Sequence, residues 1–189
     1  MDILLQLVAA KPRLEEIQVD TVFVDAARRI LEDRSLDPAW VALALAPIGD
    51  GYLAQQFDQV DVEAVYNACR GFVVSLGRSL RDLMFERMQE AAGQTSQWSL
   101  DGKSIGLRLL HNVLLSYLMP SADEQVLEYC RARYYQANNM TDRLACLRQL
   151  LNEGGDVGQL AIADFAERYQ DSPLVMDKWF AIQLSLIHI

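Results

Sequence analysis

The chain has 189 residues, 51% hydrophobic and 23% charged, which is enough to bury one sizeable core and too apolar for a disordered segment. Asp and Glu outnumber Lys and Arg by 26 to 17, and a net charge of −9 argues against the clustered cations a phosphate backbone needs, so no nucleic acid is expected as a partner. No apolar run reaches the roughly 18 to 20 residues of a membrane span, and the opening Met1-Asp2-Ile3-Leu4-Leu5 lacks the basic flank of a signal peptide; no membrane partner is expected.

Hydrophobic spacing is helical nearly throughout, and no segment alternates as a half-buried strand does. The expected fold class is all-α, an antiparallel, α-solenoid-like array (ARM/HEAT-like) of about nine or ten helices. In chain order, Asp37-Pro38 places an N-cap before a proline at the first helical position, and Asp61 caps the segment opening Val62-Glu63-Ala64. The longest helix is expected from Asp61 to Ala92. Its apolar positions Val65, Ala68, Cys69, Phe72, Val73, Leu76, Leu80, Leu83 and Met84 recur at threes and fours. Gly71 and Gly77 inside it imply either close approach of another helix or a kink.

Gly93 is expected to stop that helix, and the polar stretch from Gly93 to Lys103 reads as a loop that Trp98 tucks back onto the body. Beyond it, Pro120 marks a stop, Ser121 to Glu124 a capping box, Thr141 and Asp156 further caps, and Gly154-Gly155 another stop.

Candidate chemistry is sparse. The two histidines, His111 and His188, are far apart and neither has a second ligand at helical spacing. His111, between Leu110 and Val113 on an apolar helix, reads as a packed or groove-lining residue. Cys69, Cys130 and Cys146 are odd in number, contain no CxxC pair and read as reduced, buried thiols, so a cytoplasmic setting is expected. No G-x-S-x-G motif points to a nucleophile, and Gly49, Gly51, Gly154 and Gly155 read as turn glycines rather than a phosphate loop.

The carboxylate pairs Asp58 with Asp61 and Asp164 with Glu167 read as caps and solvated faces rather than acid–base couples. Arg131, Arg133, Arg143 and Arg148, interleaved with Tyr129, Tyr134 and Tyr135, are read as paired with Glu124, Glu128 and Asp142 within and between helices. Trp179 and Phe180 are expected on the apolar face of a helix locking onto its predecessor. No catalytic, cofactor-binding or metal-ligating residue is assigned.

Two segments carry a resemblance. Gln136-Ala137-Asn138-Asn139-Met140-Thr141-Asp142-Arg143-Leu144-Ala145 and Leu174-Val175-Met176-Asp177-Lys178-Trp179-Phe180 resemble, nearly word for word, the C-terminal helical domain of the M1 zinc metallopeptidases in their bacterial aminopeptidase N branch. The likeness runs from about Val19 to Gln183, through Ala26-Ala27-Arg28-Arg29-Ile30-Leu31-Glu32-Asp33, Leu36-Asp37-Pro38-Ala39, Ala42 to Pro47, and Asp58 to Val65. Tyr66 stands where the family frequently has histidine, and Ala46-Pro47-Ile48-Gly49 where it has an LPS-type turn, which suggests a divergent member.

The resemblance implies that residues 1–183 are part of that C-terminal domain. Its partners would be the catalytic domain of the same polypeptide and, in the parent enzyme, short peptides. It further implies a helical array that leans over the catalytic domain, encloses the active-site cavity and limits access to it. Zinc and its HExxH helix would belong to that missing catalytic domain, as would the amine-binding G-x-M-x-N motif; none of these motifs occurs here. The chain is thus expected to be a noncatalytic, truncated fragment of a peptide-cleaving metalloaminopeptidase.

Residues Leu184-Ser185-Leu186-Ile187-His188-Ile189 resemble the translation of a transposon-end adaptor and are read as a non-native tail, 184–189. The competing reading is an independent helical-repeat scaffold that binds a partner protein along one face. A longer reading frame with an upstream HExxH separates the two.

Overall fold

The computed structural model describes residues 2–95, 97–121 and 123–187. Among these, eleven α-helices, ten of them seven residues or longer, and two 3-10 turns occur, and there is no strand. The all-α expectation holds, with one very short helix beyond the expected count. The chain forms two compact units, Met1–Ser121 and Ala122–Ile189.

The first unit contains α1 (Asp2–Ala10), α2 (Thr21–Glu32), α3 (Pro38–Ala44), α4 (Asp50–Ala54), α5 (Val62–Ser79), α6 (Arg81–Gln94) and α7 (Gly102–Leu118). Local caps fix several starts. Asp37 accepts from the amides of Ala39 and Trp40 ahead of Pro38, Asp61 accepts from Ala64 N at 3.0 Å, and Asp101 accepts from Ser104 N at 2.9 Å. Each carboxylate satisfies a backbone donor that the first helical turn leaves unpaired. Helix α7 packs against α3, α5 and α6, and α5 also receives α1 and α4. Leu114, Leu115, Leu118, Met84, Met88 and Val41 are fully buried in this unit.

The expected single helix from Asp61 to Ala92 is in fact two, α5 and α6, broken at Leu80, which has φ −121° and ψ 21°. The break keeps its hydrogen bonds: Leu80 N–H donates to Leu76 O at 3.1 Å and Leu80 O accepts from Met84 N–H at 2.8 Å. Nothing in the local sequence forces it, so its origin is tertiary. Helix α5 is pinned to α7 at Gly77, where an added Cβ would lie 2.2 Å from the Tyr117 carbonyl oxygen, while α6 runs along α7 beyond that point. Close approach also explains Gly71, whose missing Cβ is replaced by the Ile17 side chain.

Other boundaries shift. Gly93 lies inside α6, which runs on to Gln94 and ends at Thr95, whose hydroxyl donates back to Ala91 O and Ala92 O. Trp98 does not tuck inward; it is 54% exposed, and the loop is held instead by Ser99 and Ser104 hydroxyls on Asp101 at 2.5 and 2.6 Å. A compact Asx-centred network needs no apolar anchor. Gly49 caps α4 and Gly51 lies in its first turn.

The second unit contains α8 (Glu124–Gln136), α9 (Met140–Glu153), α10 (Gly155–Tyr169) and α11 (Pro173–Ile187), each packed on the next. Connections of a few residues make sequence neighbours into spatial neighbours. The caps here differ from those expected. Asp123, not Ser121, caps α8; Asn139, not Thr141, caps α9; and Gly154, not Asp156, precedes α10. Gly154 has φ +76°, a conformation open to glycine at little cost, so it both ends α9 and turns the chain into α10. Pro120 sits in a 3-10 turn directly after α7, as a stop residue should. Helix α11 passes the expected 183/184 boundary without interruption as far as Ile187, and His188 and Ile189 lie outside the described residues.

Gly77→Ala is expected to lower the unfolding free energy by about 1–3 kcal/mol through overpacking against Tyr117. Gly93→Ala, whose added Cβ meets nothing, is expected to raise it by about 0.5–1 kcal/mol. Urea unfolding of the two variants should move in opposite directions; equal shifts would contradict the close-contact account.

Candidate functional site

The residues that sequence singles out as chemically interesting are dispersed and structurally engaged. His111 is 1% exposed, and its Nδ1 lies 2.9 Å from Asn112 Oδ1. All three cysteines are free and buried. Burial, followed by the nearby Asp50 carboxylate, pushes the Cys69 thiol up to about 12. The Cys130 thiol is raised by its contact with Cys146 and by burial, and it donates to Cys146 O at 3.6 Å. Thiols held protonated in this way are poor nucleophiles.

The carboxylate pairs do not form acid–base couples. Asp61 is occupied as a cap and in an ion pair with Lys11 at 2.6 Å, while Asp58 is exposed. Asp164 accepts from Arg168 Nε at 2.7 Å and Tyr134 Oη at 2.8 Å, while Glu167 is exposed. Among the described residues, no group of three or more His, Cys, Asp or Glu is placed to hold a metal ion.

A polar cluster forms the junction between α8 and α9, with a branch to α10. Asn139 Oδ1 accepts from Asp142 N at 2.9 Å while Asn139 Nδ2 donates to Asp142 Oδ2 at 3.1 Å, a reciprocal closure of the helix start. Arg133 Nη2 donates to the same Asp142 Oδ2 at 2.8 Å, and Asp142 is only 1% exposed. Arg143 donates to Ala137 O and lies over the Tyr134 ring at 5.8 Å. Tyr134 Oη–H shares its single proton between Ala161 O at 2.9 Å and Asp164 Oδ2 at 2.8 Å.

The expected pairing with acidic neighbours is met by Arg133, on Asp142, and by Arg131, set 3.6 Å from Glu128, whereas Arg143 turns to a backbone carbonyl and Arg148 is exposed. Trp179 locks α11 onto α10 by donating to Ile162 O at 3.0 Å. Its neighbour Phe180 is 56% exposed, so the expected shared apolar face holds only for Trp179. Helical spacing explains the difference, since adjacent residues point about 100° apart.

Sequence reasoning passes over one feature. Arg34, Arg87, Glu90 and Lys103 line a cleft of about 670 Å3 in the first unit. Arg87 is 7% exposed and stands among the buried Met84, Met88 and Ala91 of α6. A cation interrupting an apolar helical stripe is the signal that could have marked it.

Comparison with known proteins follows the same lines. A family model described as "Domain of unknown function (DUF3458_C) ARM repeats" matches residues 1–186. The chain is 30% identical to an aminopeptidase N of Caulobacter vibrioides over 85% of its own length, and 27% identical to an aminopeptidase N of Escherichia coli over 84%. It spans only 18% of the length of each of these relatives. A solved structure, Legionella pneumophila aminopeptidase A in complex with aspartic acid, superposes with a TM-score of 0.78 at 22% identity, covering 94% of this chain and 22% of that one. The last likeness concerns the fold alone.

Removing one partner of the buried Arg133–Asp142 pair should cost far more than removing both. Asp142→Ala is expected to destabilise by about 3–5 kcal/mol, Arg133→Met with Asp142→Leu by much less, and Asp58→Ala by under about 0.5 kcal/mol. Chemical denaturation of the three variants checks the order. For Asp164, burial works to raise the carboxyl, but the Arg168 and Tyr134 hydrogen bonds outweigh it and hold the folded value below the ordinary one. A depressed folded value means stability that is present above the unfolded pKa and lost as pH falls through the ordinary carboxylate range toward the folded value. Asp164→Asn should flatten that part of the stability–pH curve, read from thermal midpoints between neutral and acid pH.

Proposed function

The chain belongs to the DUF3458_C family of ARM-repeat domains, and from that premise we propose that it is a noncatalytic helical domain of a longer aminopeptidase N-type polypeptide. The observation that carries the proposal is the pairing of broad coverage of this chain, 85%, with an 18% share of the aminopeptidase N relative. Residues 1–183 correspond on this reading to the C-terminal helical domain of the enzyme, and 184–189 to a non-native tail. The catalytic domain of the same polypeptide is its structural partner.

In the proposed role the helices wall the active-site cavity, so that short peptides enter and folded proteins do not. This chain supplies rigidity and shape to that wall. The α8–α9 polar junction and the Gly77–Tyr117 contact fix helix positions without reactive groups. Peptide hydrolysis and its zinc belong to the catalytic domain, whose HExxH motif is absent from this sequence. A cytoplasmic setting is retained as part of the proposal. No described helix is long and apolar enough to cross a membrane, and the cysteines are free.

The purified chain should release no amino acid from aminoacyl 4-nitroanilides with or without added zinc. Chelator-sensitive turnover that tracks the protein through purification would sink the noncatalytic assignment. The access role has its own check in the longer polypeptide: removing residues 1–183 should extend cleavage toward larger substrates while an aminoacyl 4-nitroanilide is still cleaved. Unchanged size selectivity in that active truncation would refute the wall.

A further inference from the structure

Cys130 and Cys146 meet across the α8–α9 pair. Cys130 stands in a fully buried stripe of α8, between Val126 and Tyr134, and Cys146 stands between Asp142 and Leu150 on the buried side of α9. Both cysteines are 0% exposed, and the Cys130 thiol donates to Cys146 O at 3.6 Å. Its sulfur therefore rests on the backbone of the residue that carries the second thiol. Contact with that thiol, followed by burial, raises it.

The polar junction sets the register of this contact. Arg133 Nη2 donates to Asp142 Oδ2 at 2.8 Å; Cys130 stands one helical turn before Arg133, and Cys146 one turn after Asp142. In an antiparallel pair those two steps run the same way, so the ion pair and the thiol pair occupy successive rungs. A buried salt bridge that penalises other registers thereby keeps the two sulfurs together. Cys69 lies in the first unit and provides an internal control.

We propose that Cys130 and Cys146 are a modification site, closing to a reversible disulfide with a small disulfide of the glutathione class as oxidant. A local opening of α8–α9 uncovers one thiol, which gives its proton to water. The thiolate attacks the small disulfide, a mixed S–S bond forms and one glutathione thiolate leaves. As the helices close again the second cysteine, deprotonated in its turn, attacks the protein sulfur of the mixed disulfide. The Cys130–Cys146 bond forms and the second glutathione thiolate leaves. Each leaving thiolate takes up a proton, so two protein thiols and one small disulfide give one protein disulfide and two glutathione thiols, with two electrons passed to the oxidant. Native packing favours the second step, because the resolving thiol is already in place. The closed loop contains Arg133, Asn139 and Asp142, so the bond staples the junction that fixes the two helices. This assignment is independent of the aminopeptidase reading.

The test is incubation of the full 189-residue chain with oxidised glutathione under native conditions, followed by alkylation, proteolysis and mass spectrometry. A product two hydrogens lighter is expected, with Cys130 linked to Cys146 and Cys69 still open to alkylation after unfolding. This peptide map needs no variant to fold. Cys146→Ala, with circular dichroism matching the parent, should instead retain a glutathione adduct at Cys130; if it misfolds, Cys130→Ala serves in the same way with the adduct at Cys146. In the oxidised parent, amide hydrogens along α8 and α9 should exchange at least about tenfold more slowly, because closing a loop of this length restrains the opened state. Four results overturn the proposal: a stable glutathione adduct at Cys130 or Cys146 in the parent, a disulfide that includes Cys69, no closure by the time the α8–α9 amides have exchanged, or unchanged exchange after closure.

Discussion

The first unit depends on how Tyr117 is gripped from two sides. Its backbone carbonyl presses onto α5 at the one position where no side chain intervenes, and its phenol, buried enough to be pushed up to about 12, donates at 2.8 Å to Leu45 O at the end of α3. Three helices are thereby referenced to one residue. A methyl group at position 77 or a lost hydroxyl at position 117 would disturb α3, α5 and α7 together, because close-packed interiors transmit small displacements instead of absorbing them. The break at Leu80 belongs to this arrangement, since it lets α6 follow α7 after α5 has been fixed to it.

The second unit solves the same problem with polar groups. Asp142 is buried, yet its Oδ2 accepts from the Asn139 amide and from the Arg133 guanidinium, so the desolvation of that oxygen is compensated. One oxygen of that carboxylate lies buried without a hydrogen-bond partner among the described residues. Such an arrangement contributes little net stability compared with an apolar replacement, and it strongly penalises any helix register that separates the partners. Geometry is specified where α8, α9 and α10 meet, while the surrounding Val126, Leu147, Leu150 and Phe165 supply the apolar burial.

Legibility in the sequence followed the range of the interactions. Asp37 and Asp61 were readable as caps because the donors they satisfy lie two or three residues away. Around Asn139, by contrast, several capping residues stand in a row, and only the reach of Arg133 to Asp142 selects which one starts the helix. Leu80 offered no signal at all, since its departure from helical geometry comes from α7. Trp98 stays exposed although large aromatics are usually buried, because a serine–aspartate network already ties the loop. The Arg34–Glu90 cleft is hard to read in the sequence for a related reason: its groups meet across the fold, and only Arg87, set among apolar neighbours of α6, leaves a trace in the linear pattern.

The distribution of the thiols has a practical consequence. Cys69 sits in the first unit and Cys130 with Cys146 in the second, all buried and without disulfides. Burial raises the Cys69 thiol, and the contact with Cys146 together with burial raises that of Cys130, so a maleimide or disulfide reagent can react at these two positions only in molecules that have opened locally. The chain thus contains a native reporter in each unit. Peptide-resolved labelling rates would separate the opening free energies of the two units without any introduced probe, and would show whether they melt as one cooperative body or in sequence.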